Sequence, residues 1–541
     1  MRDTPKTLGD FLALAEQSPV WGGEGKIVSR APDGTVTEIP LGTDRRLLER
    51  RILESMQQYW PEHLRPRHTA EPRAAIVDGD DSEADSDSTP KKQPAKEIDP
   101  GDEARWFLEK TKLDGVPTLL YWHGGWWRWR DGAYRECEAS EVRGDLIRHL
   151  DREFNSLGSA VTSNVLDHLR ANAFLPADRE PPAWIGPPVN DWPADEIVAT
   201  RGKLVHLPSL LAQRQCETSA TPRFFTTAAV DFDFDANAPL PNEWHRFLRQ
   251  LWPDDRDSID TLQEWFGHLL VADTRQQKIL LLGGPRRSGK STIARVLREL
   301  IGRRNVCGPT LAGLATNFGL WPLIGKSVAI VSDARLSHRS DQAVVVERLL
   351  SISGEDALTI DRKCMEPVTC RLPTRLMLIS NELPRLSDAS GALSSRFLVL
   401  WLSESFLGRE DHGLEKKLLA ELPGIFLWAA AGWQRLRERG CFSQPESAAE
   451  MVEQLGDLTS PVSVFVRERC IVGKEYRATV RDLFSAWKNF CESAGRKEAG
   501  TDATFSRDLV AAVPGLRRVR TRETDSRLMA YDGICLKPVK F

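Results

Sequence analysis

The stretch Lys278-Ile-Leu-Leu-Leu-Gly283-Gly284-Pro-Arg-Arg-Ser-Gly289-Lys290-Ser291-Thr292 decides how the rest of the chain is read. Lys278–Leu282 is a short apolar run that ends in glycine, the pattern of a buried strand. Gly284 to Ser291 matches G-x-x-x-x-G-K-[ST] without a gap. Thr292 to Ile301 repeats apolar residues at helical spacing and stops at Gly302, a C-cap position. A chance glycine-rich turn would lack one or both of these flanks. Glycines let backbone N–H groups come close to phosphate oxygens, and the following helix N-terminus adds its positive dipole end. Lys290 supplies a cation for the β- and γ-phosphates, and the Ser291 hydroxyl can ligate Mg²⁺. ATP and Mg²⁺ are the expected ligands, held by Gly284, Pro285, Arg286, Arg287, Ser288, Gly289, Lys290, Ser291 and Thr292.

Working outward, Lys278 to Leu402 alternates short apolar strands with helices, the signature of a parallel α/β sheet. Ser327–Val331 is one such strand, and Asp333 follows it at the end where α/β sheets gather their ligand groups. Asp333 is the expected metal-coordinating acid; the alternative is a surface Asp capping the next turn. Its neighbour is Ala334, not a second carboxylate, which leaves the water-orienting group open among Glu347, Glu355 and Asp356. The strand Arg375–Ile379 ends in Ser380-Asn381, and an amide there can bond the γ-phosphate or the attacking water. Arg396 precedes a further strand, Phe397–Leu402, and an arginine so placed can reach a neighbouring subunit's nucleotide. Taken singly, Asn381 and Arg396 also fit ordinary strand-end residues.

The 541 residues allow three or four domains. At 41% hydrophobic and 28% charged the composition is that of a soluble globular protein. No run approaches the roughly 20 apolar residues of a membrane helix, and the N-terminus lacks the apolar stretch of a secretory signal. The nine cysteines show no Cys-x-x-Cys spacing, which argues against zinc and disulfides and fits the cytoplasm. A net charge of -4 neither demands nor excludes nucleic acid, so any DNA contact needs a local basic surface. No internal repeat is present.

Residues 1–77 form a small unit with helical patterning near Leu47–Tyr59, followed at 78–102 by an acidic stretch read as a disordered linker. Residues 103–239 read as a mixed α+β region. It carries a hairpin pattern: Thr118–Trp122, a His123-Gly-Gly turn and Trp126–Trp129. Trp122, Trp126, Trp127 and Trp129 can stack on bases, although an aromatic hairpin is more commonly a packed one. Residues 240–275 read as a helical collar, with Trp244, Phe247, Leu248 and Leu251 on one face and Leu262, Trp265, Phe266 and Leu269 on another. The core is assigned to 276–440. Residues 460–541 read as helices, including Val480–Cys491 and Ala503–Ala512, then two strands, Leu516–Arg520 and Leu528–Leu536. That order is winged-helix-like, and Arg517, Arg518, Arg520, Arg522 and Arg527 would line the wing as a DNA contact.

Together, Gly284–Ser291, Val331-Ser-Asp333, Ser353-Gly-Glu-Asp356 with Asp361-Arg-Lys363, Ile379-Ser-Asn-Glu-Leu-Pro384 and Ala392-Leu-Ser-Ser-Arg-Phe397 resemble superfamily 3 helicases, specifically the primase–helicase group of phages, plasmids and poxviruses. Glu421–Ile425 with Trp428 is similar to the helix that follows the motor in that group. The resemblance runs from about Thr221 to Gly440. It implies a P-loop NTPase, AAA+-like core with a helical N-terminal flank and a winged-helix-like C-terminal domain. It also implies roles: Lys290 and Ser291 on phosphate and Mg²⁺, Asp333 as the Walker B acid, Asn381 as polar sensor, Arg396 as an arginine finger across a subunit boundary. Arg362 and Lys363 would sit on the hairpin that grips DNA inside a homo-hexamer, a task for which sequence-independent phosphate contacts suffice. The chain departs from the group in its single carboxylate and in residues 1–77, ahead of the acidic stretch, which show no Asp-x-Asp pair on a strand and no Cys–His cluster. Primer synthesis is therefore expected of a separate primase or polymerase partner. The expected function is an ATP-dependent DNA helicase or replication-initiation motor of a phage or mobile element, acting on single-stranded or forked DNA. The alternatives are a DNA-binding assembly ATPase without unwinding and a P-loop kinase, which would need a compact acceptor site.

Overall fold

The computed structural model describes residues 26–30, 36–40, 93–94, 98–155, 158–335, 341–386, 388, 390–495, 499–523 and 526–538. The chain divides into two compact units, Met1–Thr89 and Pro90–Phe541. In the first, Lys26–Arg30 pairs antiparallel with Val36–Pro40. The helical pattern at Leu47–Tyr59 and the acidic run from Asp78 lie outside the described residues.

The stretch read as linker ends earlier than expected. A helix spans Pro100–Lys110, and the Asp99 carboxylate accepts from the amides of Gly101 and Asp102. The acid there is an N-cap and the proline fills the first turn. This helix packs with Ala139–Glu153 and Ser159–Asn172 around Phe107, Leu146, Leu150 and Leu169. Beside them stands a three-stranded meander, Leu119–Trp122, Gly125–Arg130 and Ala133–Cys137, one strand more than the expected hairpin. His123 at φ 49° and Gly124 at φ 71° make its first turn, the left-handed pair that suits a two-residue hairpin loop. Trp122, Trp126 and Trp127 are buried and Trp129 is half-buried, so the rings pack rather than present stacking faces to solvent.

The centre of the second unit is a five-stranded parallel sheet. Its strands are β1 (Ile279–Gly283), β2 (Val306–Cys307), β3 (Val328–Val331), β4 (Arg375–Ser380) and β5 (Phe397–Trp401), in the spatial order β2-β3-β4-β1-β5. Side chains alternate across the sheet, and both faces are covered, so the strands read as continuous apolar runs. Leu280, Leu282, Met377, Ile379, Leu398 and Leu400 face the helices Asn242–Leu251, Arg256–Leu270, Lys290–Ile301 and Leu422–Arg439. Leu281, Ala329, Val331, Leu376, Leu378 and Val399 face the helix Gln342–Ser353. Residues 240–275 thus form no collar of their own: their apolar faces close one side of the sheet. Two glycines let the helices Arg256–Leu270 and Leu422–Arg439 lie close together. A Cβ on Gly267 would lie 2.3 Å from the Ala429 carbonyl oxygen, and one on Gly432 would lie 2.3 Å from that of Gln263.

The C-terminal part has its own core of Phe465, Leu483, Trp487, Phe505, Leu509 and Tyr531. Helices Pro461–Arg469, Val480–Ser493 and Asp502–Ala512 pack on a sheet in which Ser526–Leu536 lies between Cys470–Thr479 and Arg517–Glu523. The Cys470–Thr479 strand was not expected. It is mostly polar, contains Gly473, and its pairing slips between Val472 and Arg477, so it carries no clean alternation. Cys137, Cys216, Cys307, Cys364, Cys370, Cys441, Cys470 and Cys535 are free thiols. Among the described residues no helix is long and apolar enough to cross a membrane.

Candidate functional site

The expected loop leaves β1 at Gly283 and enters the helix Lys290–Ile301. Gly284 has φ 138° and would set a Cβ 2.4 Å from the Leu402 carbonyl oxygen; Gly289 has φ 93° and would set one 2.9 Å from Leu251 Cδ2. Only glycine fits either place. Arg287 between them also takes the left-handed region, at φ 59°. The backbone therefore coils around Lys290, which is 6% exposed. Its Nζ donates to the carbonyls of Gly284 (2.7 Å) and Pro285 (2.6 Å) and to Ser288 Oγ (3.0 Å). Burial pulls the ammonium below the usual lysine range. It has no carboxylate partner among the described residues, so its charge is compensated by dipoles alone, the state of a cation ready for an anion.

An open cavity of about 430 Å³ adjoins the loop, lined by Arg287, Ser288, Gly289, Lys290, Ser291, Thr292 and Asn381. The register of β4 on β1 pairs Gly283 with Ser380, which sets Asn381 one residue past the strand tip beside the loop. The cavity's other wall was not anticipated. It comes from Phe247 and Gln250, and from Phe406, Arg409, Glu410, Asp411 and His412 after β5. The Phe406 amide donates to the Arg287 carbonyl at 2.9 Å and Ser405 Oγ to that of Arg286 at 2.8 Å, so this segment is tied to the loop. Those residues carry no motif. Only the pairing of β5 with β1 brings them in.

Asp333 sits beyond β3. Val331 pairs with Leu378, which brings Asp333 level with Ser380, and the Ala334 amide donates to the Ile379 carbonyl at 3.1 Å. Asp333 is exposed and stands outside the cavity lining. Arg335 grips its carboxylate with Nε at 2.8 Å and Nη2 at 2.6 Å. Hydrogen bonds from that guanidinium hold the Asp333 carboxyl below the usual range.

Arg396 lies at the other end of the sheet. It closes a short helix, Ala392–Arg396, just before β5, where Phe397 pairs with Ile279 at the start of β1. Its Nη1 donates to the Ser353 carbonyl at 3.0 Å. At about 3.3 Å per residue, β1 alone holds Arg396 some 13 Å or more from its own loop. Glu355 is at that same far end, bonded to Thr274, and Asp356 follows it, so neither can orient water at the loop of the same chain. Glu347 is exposed on the Gln342–Ser353 helix.

The Arg362-Lys363 pair is split. Leu358–Arg362 and Met365–Cys370 form a hairpin whose first strand alternates strictly, with Leu358, Ile360 and Arg362 buried. Arg362 is 7% exposed and donates to the Glu366 carbonyl from Nε (3.1 Å) and Nη2 (2.9 Å), so it is not a surface cation. The two-residue period sends it inward; Lys363, at the turn, is exposed. Arg517, Arg518 and Arg520 are exposed on their strand, while the side chains of Arg522 and Arg527 lie outside the described residues.

Residues 281–396 match a model described as a family of unknown function (DUF5906). The match begins in β1 and ends on Arg396, enclosing Lys290, Asp333 and Asn381. An apo structure of the NrS-1 C-terminal region (305–718) is similar to this chain at 13% identity and TM-score 0.45, covering 81% of this chain and 100% of that one. An A-form apo structure of the same region has TM-score 0.43 at the same identity and coverage. A likeness of this size fixes no activity.

Proposed function

We propose that this chain is an ATP-driven DNA motor of the P-loop class whose nucleotide site is completed by a neighbouring copy. The observation that carries the reading is Lys290: a buried ammonium with no acid partner among the described residues, wrapped in the loop's own carbonyls at one end of a parallel sheet. On ATP binding, Lys290 exchanges those carbonyls for β- and γ-phosphate oxygens, and the amides at the helix N-terminus turn toward the phosphates. Asn381 orients the γ-phosphate or the attacking water. Ser291 and Asp333 are hard oxygen donors of the kind Mg²⁺ takes while retaining most of its waters, and Asp333 must first release Arg335. Bound there, the ion would offset charge on the phosphate oxygens. Arg396 is too far from its own loop to act there, which favours a ring of copies in which it serves the adjacent site. Lys363 and the exposed arginines Arg517, Arg518 and Arg520 supply phosphate contacts to single-stranded or forked DNA.

Ala334, in place of a second carboxylate, favours a second reading: a DNA-binding assembly ATPase that hydrolyses slowly and does not unwind. ATP hydrolysis with and without single-stranded DNA, together with strand displacement on a forked duplex, separates the two. The motor reading expects DNA-stimulated hydrolysis and displacement, both abolished by Lys290→Ala. Hydrolysis without displacement sinks it in favour of the assembly ATPase.

A further inference from the structure

Hydrolysis needs a group that takes a proton from water, and Ala334 stands where a second carboxylate would follow Asp333. Such a base must come within hydrogen-bond reach of a water at the γ-phosphate, directly or through one further water. It therefore belongs among the strand tips, between the loop and Asp333. Glu355 is at the opposite end of the sheet, bonded to Thr274, with Asp356 beside it.

Strand order identifies the tip. β4 lies between β1, which carries the loop, and β3, which carries Asp333. Ser380, the last residue of β4, is level with Gly283 on one side and with Asp333 on the other. Asn381 follows and lines the cavity, and Glu382 comes next. The Glu382 amide donates to Ser380 Oγ at 3.3 Å, so the chain bends at Asn381 and the glutamate stays at the strand tip. Glu382 is exposed, and its carboxylate has no hydrogen bond or ion pair among the described residues. It also shares a cation with Asp333. Hydrogen bonds and charge from Asp333, and then the charge of Glu382, push the Arg335 guanidinium above the usual arginine range, against an opposing desolvation cost. The other acids of this end are differently placed. Glu410 is paired with Arg287 at 3.6 Å, Asp411 with Lys417 at 2.9 Å and Glu415 with Arg295 at 2.7 Å. Glu404 is exposed, but it follows β5, on the side of β1 away from Asp333.

We infer that Glu382 is the general base of the reaction, supplying from the tip of β4 the carboxylate that Ala334 omits, a role that rests on the ATPase reading above. The oxygen of a water bonds to the γ-phosphorus while one of its protons passes to the Glu382 carboxylate. The bond from the γ-phosphorus to the bridging oxygen breaks, and ADP leaves with that electron pair. The proton then passes to phosphate or solvent, and Glu382 is ionised again.

Steady-state hydrolysis of ATP with Mg²⁺ by the full chain, with binding of radiolabelled ATP measured separately, tests this. Glu382→Gln should lower kcat by about 10²- to 10⁴-fold and leave ATP affinity close to that of wild type. The residue is exposed, so the melting temperature should not move. Wild-type kcat should fall on the acid side as the base takes up its proton, and the residual activity of Glu382→Gln should lack that limb. Glu382→Asp keeps a carboxylate and should recover part of the activity, while Glu404→Gln should match wild type. Combined with Arg335→Ala, Glu382→Gln should cost the same factor as it does alone. A kcat near wild type for Glu382→Gln overturns the inference and leaves the ATPase reading intact. So does a loss that disappears in the Arg335→Ala background, since Glu382 would then act only by holding Arg335. Absence of hydrolysis by wild type overturns the ATPase reading itself, and the role of Glu382 with it.

Discussion

At the scale of single residues, Lys290 and Arg396 make opposite demands on the same chemistry. Lys290 must be in the chain that binds the nucleotide. Its ammonium is already buried and held by Gly284, Pro285 and Ser288, so truncation removes the cation that the loop wraps. Lys290→Ala is expected to lower ATP hydrolysis by at least about 10²-fold, with the melting temperature near that of wild type. Arg396 sits at the far end of the sheet and acts, on the proposed reading, on a neighbour. Arg396→Ala should reduce turnover by about 10³-fold or more while ATP binding stays within a few-fold of wild type. Mixing Arg396→Ala chains with Lys290→Ala chains should restore measurable hydrolysis, because some interfaces then pair an intact loop with an intact arginine. No recovery at any mixing ratio would remove the trans role. Arg335 offers a third check. It occupies Asp333 in a surface pair of the kind worth at most about 1 kcal/mol. Arg335→Ala should lower the Mg²⁺ concentration needed for half-maximal hydrolysis, and an unchanged or raised requirement would mean that Asp333 is not the metal acid.

At the scale of elements, the helix pair Arg256–Leu270 and Leu422–Arg439 determines how one face of the sheet is closed. The helices meet through Gly267 and Gly432, where backbone stands where a side chain would otherwise be. Gly267→Ala pushes a methyl group into the Ala429 carbonyl and the Trp433 amide, and neither can rotate away. The expected cost is about 1–3 kcal/mol, read as a lower melting temperature. Nucleotide affinity should change little, because the loop lies at the strand tips. Elements also show how far the linear pattern reached. The strand, loop and helix at Lys278–Ile301 follow from motif and periodicity, because each flank is local. Asn381 and Asp333 follow by the same logic, each two residues past an apolar run. Arg362 was misjudged by reading it as half of a basic pair. The alternation of Leu358, Ile360 and Arg362 already carried the signal that it points inward.

At the scale of the whole molecule, the buried polar groups between sheet and helices set how the fold responds to acid. His268 is fully buried on the Arg256–Leu270 helix. Burial, and then the nearby Arg375 guanidinium, drive its pKa well below the usual 6.5, against a smaller opposing pull from Asp273 and an added push from Arg275. The folded chain therefore keeps His268 neutral where the unfolded chain protonates it. Stability is unaffected above about pH 6.5 and falls as pH drops below it, by up to about 1.4 kcal/mol per pH unit for one proton. Denaturant unfolding of wild type and His268→Asn between pH 7 and pH 5 measures this. The variant should have a shallower slope, and equal slopes would show that other groups carry the acid sensitivity.

What the linear chain determined by itself was the local chemistry: a glycine loop between a strand and a helix, polar residues just past strand ends, and arginines on a late strand. These follow from neighbours a few residues apart, where spacing and side-chain type are enough. Only the tertiary structure decided which strands lie side by side. Placing β4 between β1 and β3 brings Asn381 to the loop, and placing β5 against β1 adds Phe406 and Arg409 to the cavity. The same arrangement sends Arg396 and Glu355 to the opposite end. Strand order in a parallel sheet is set by long-range burial, since every apolar strand is an acceptable neighbour to every other until the two faces are covered. No local spacing records that choice.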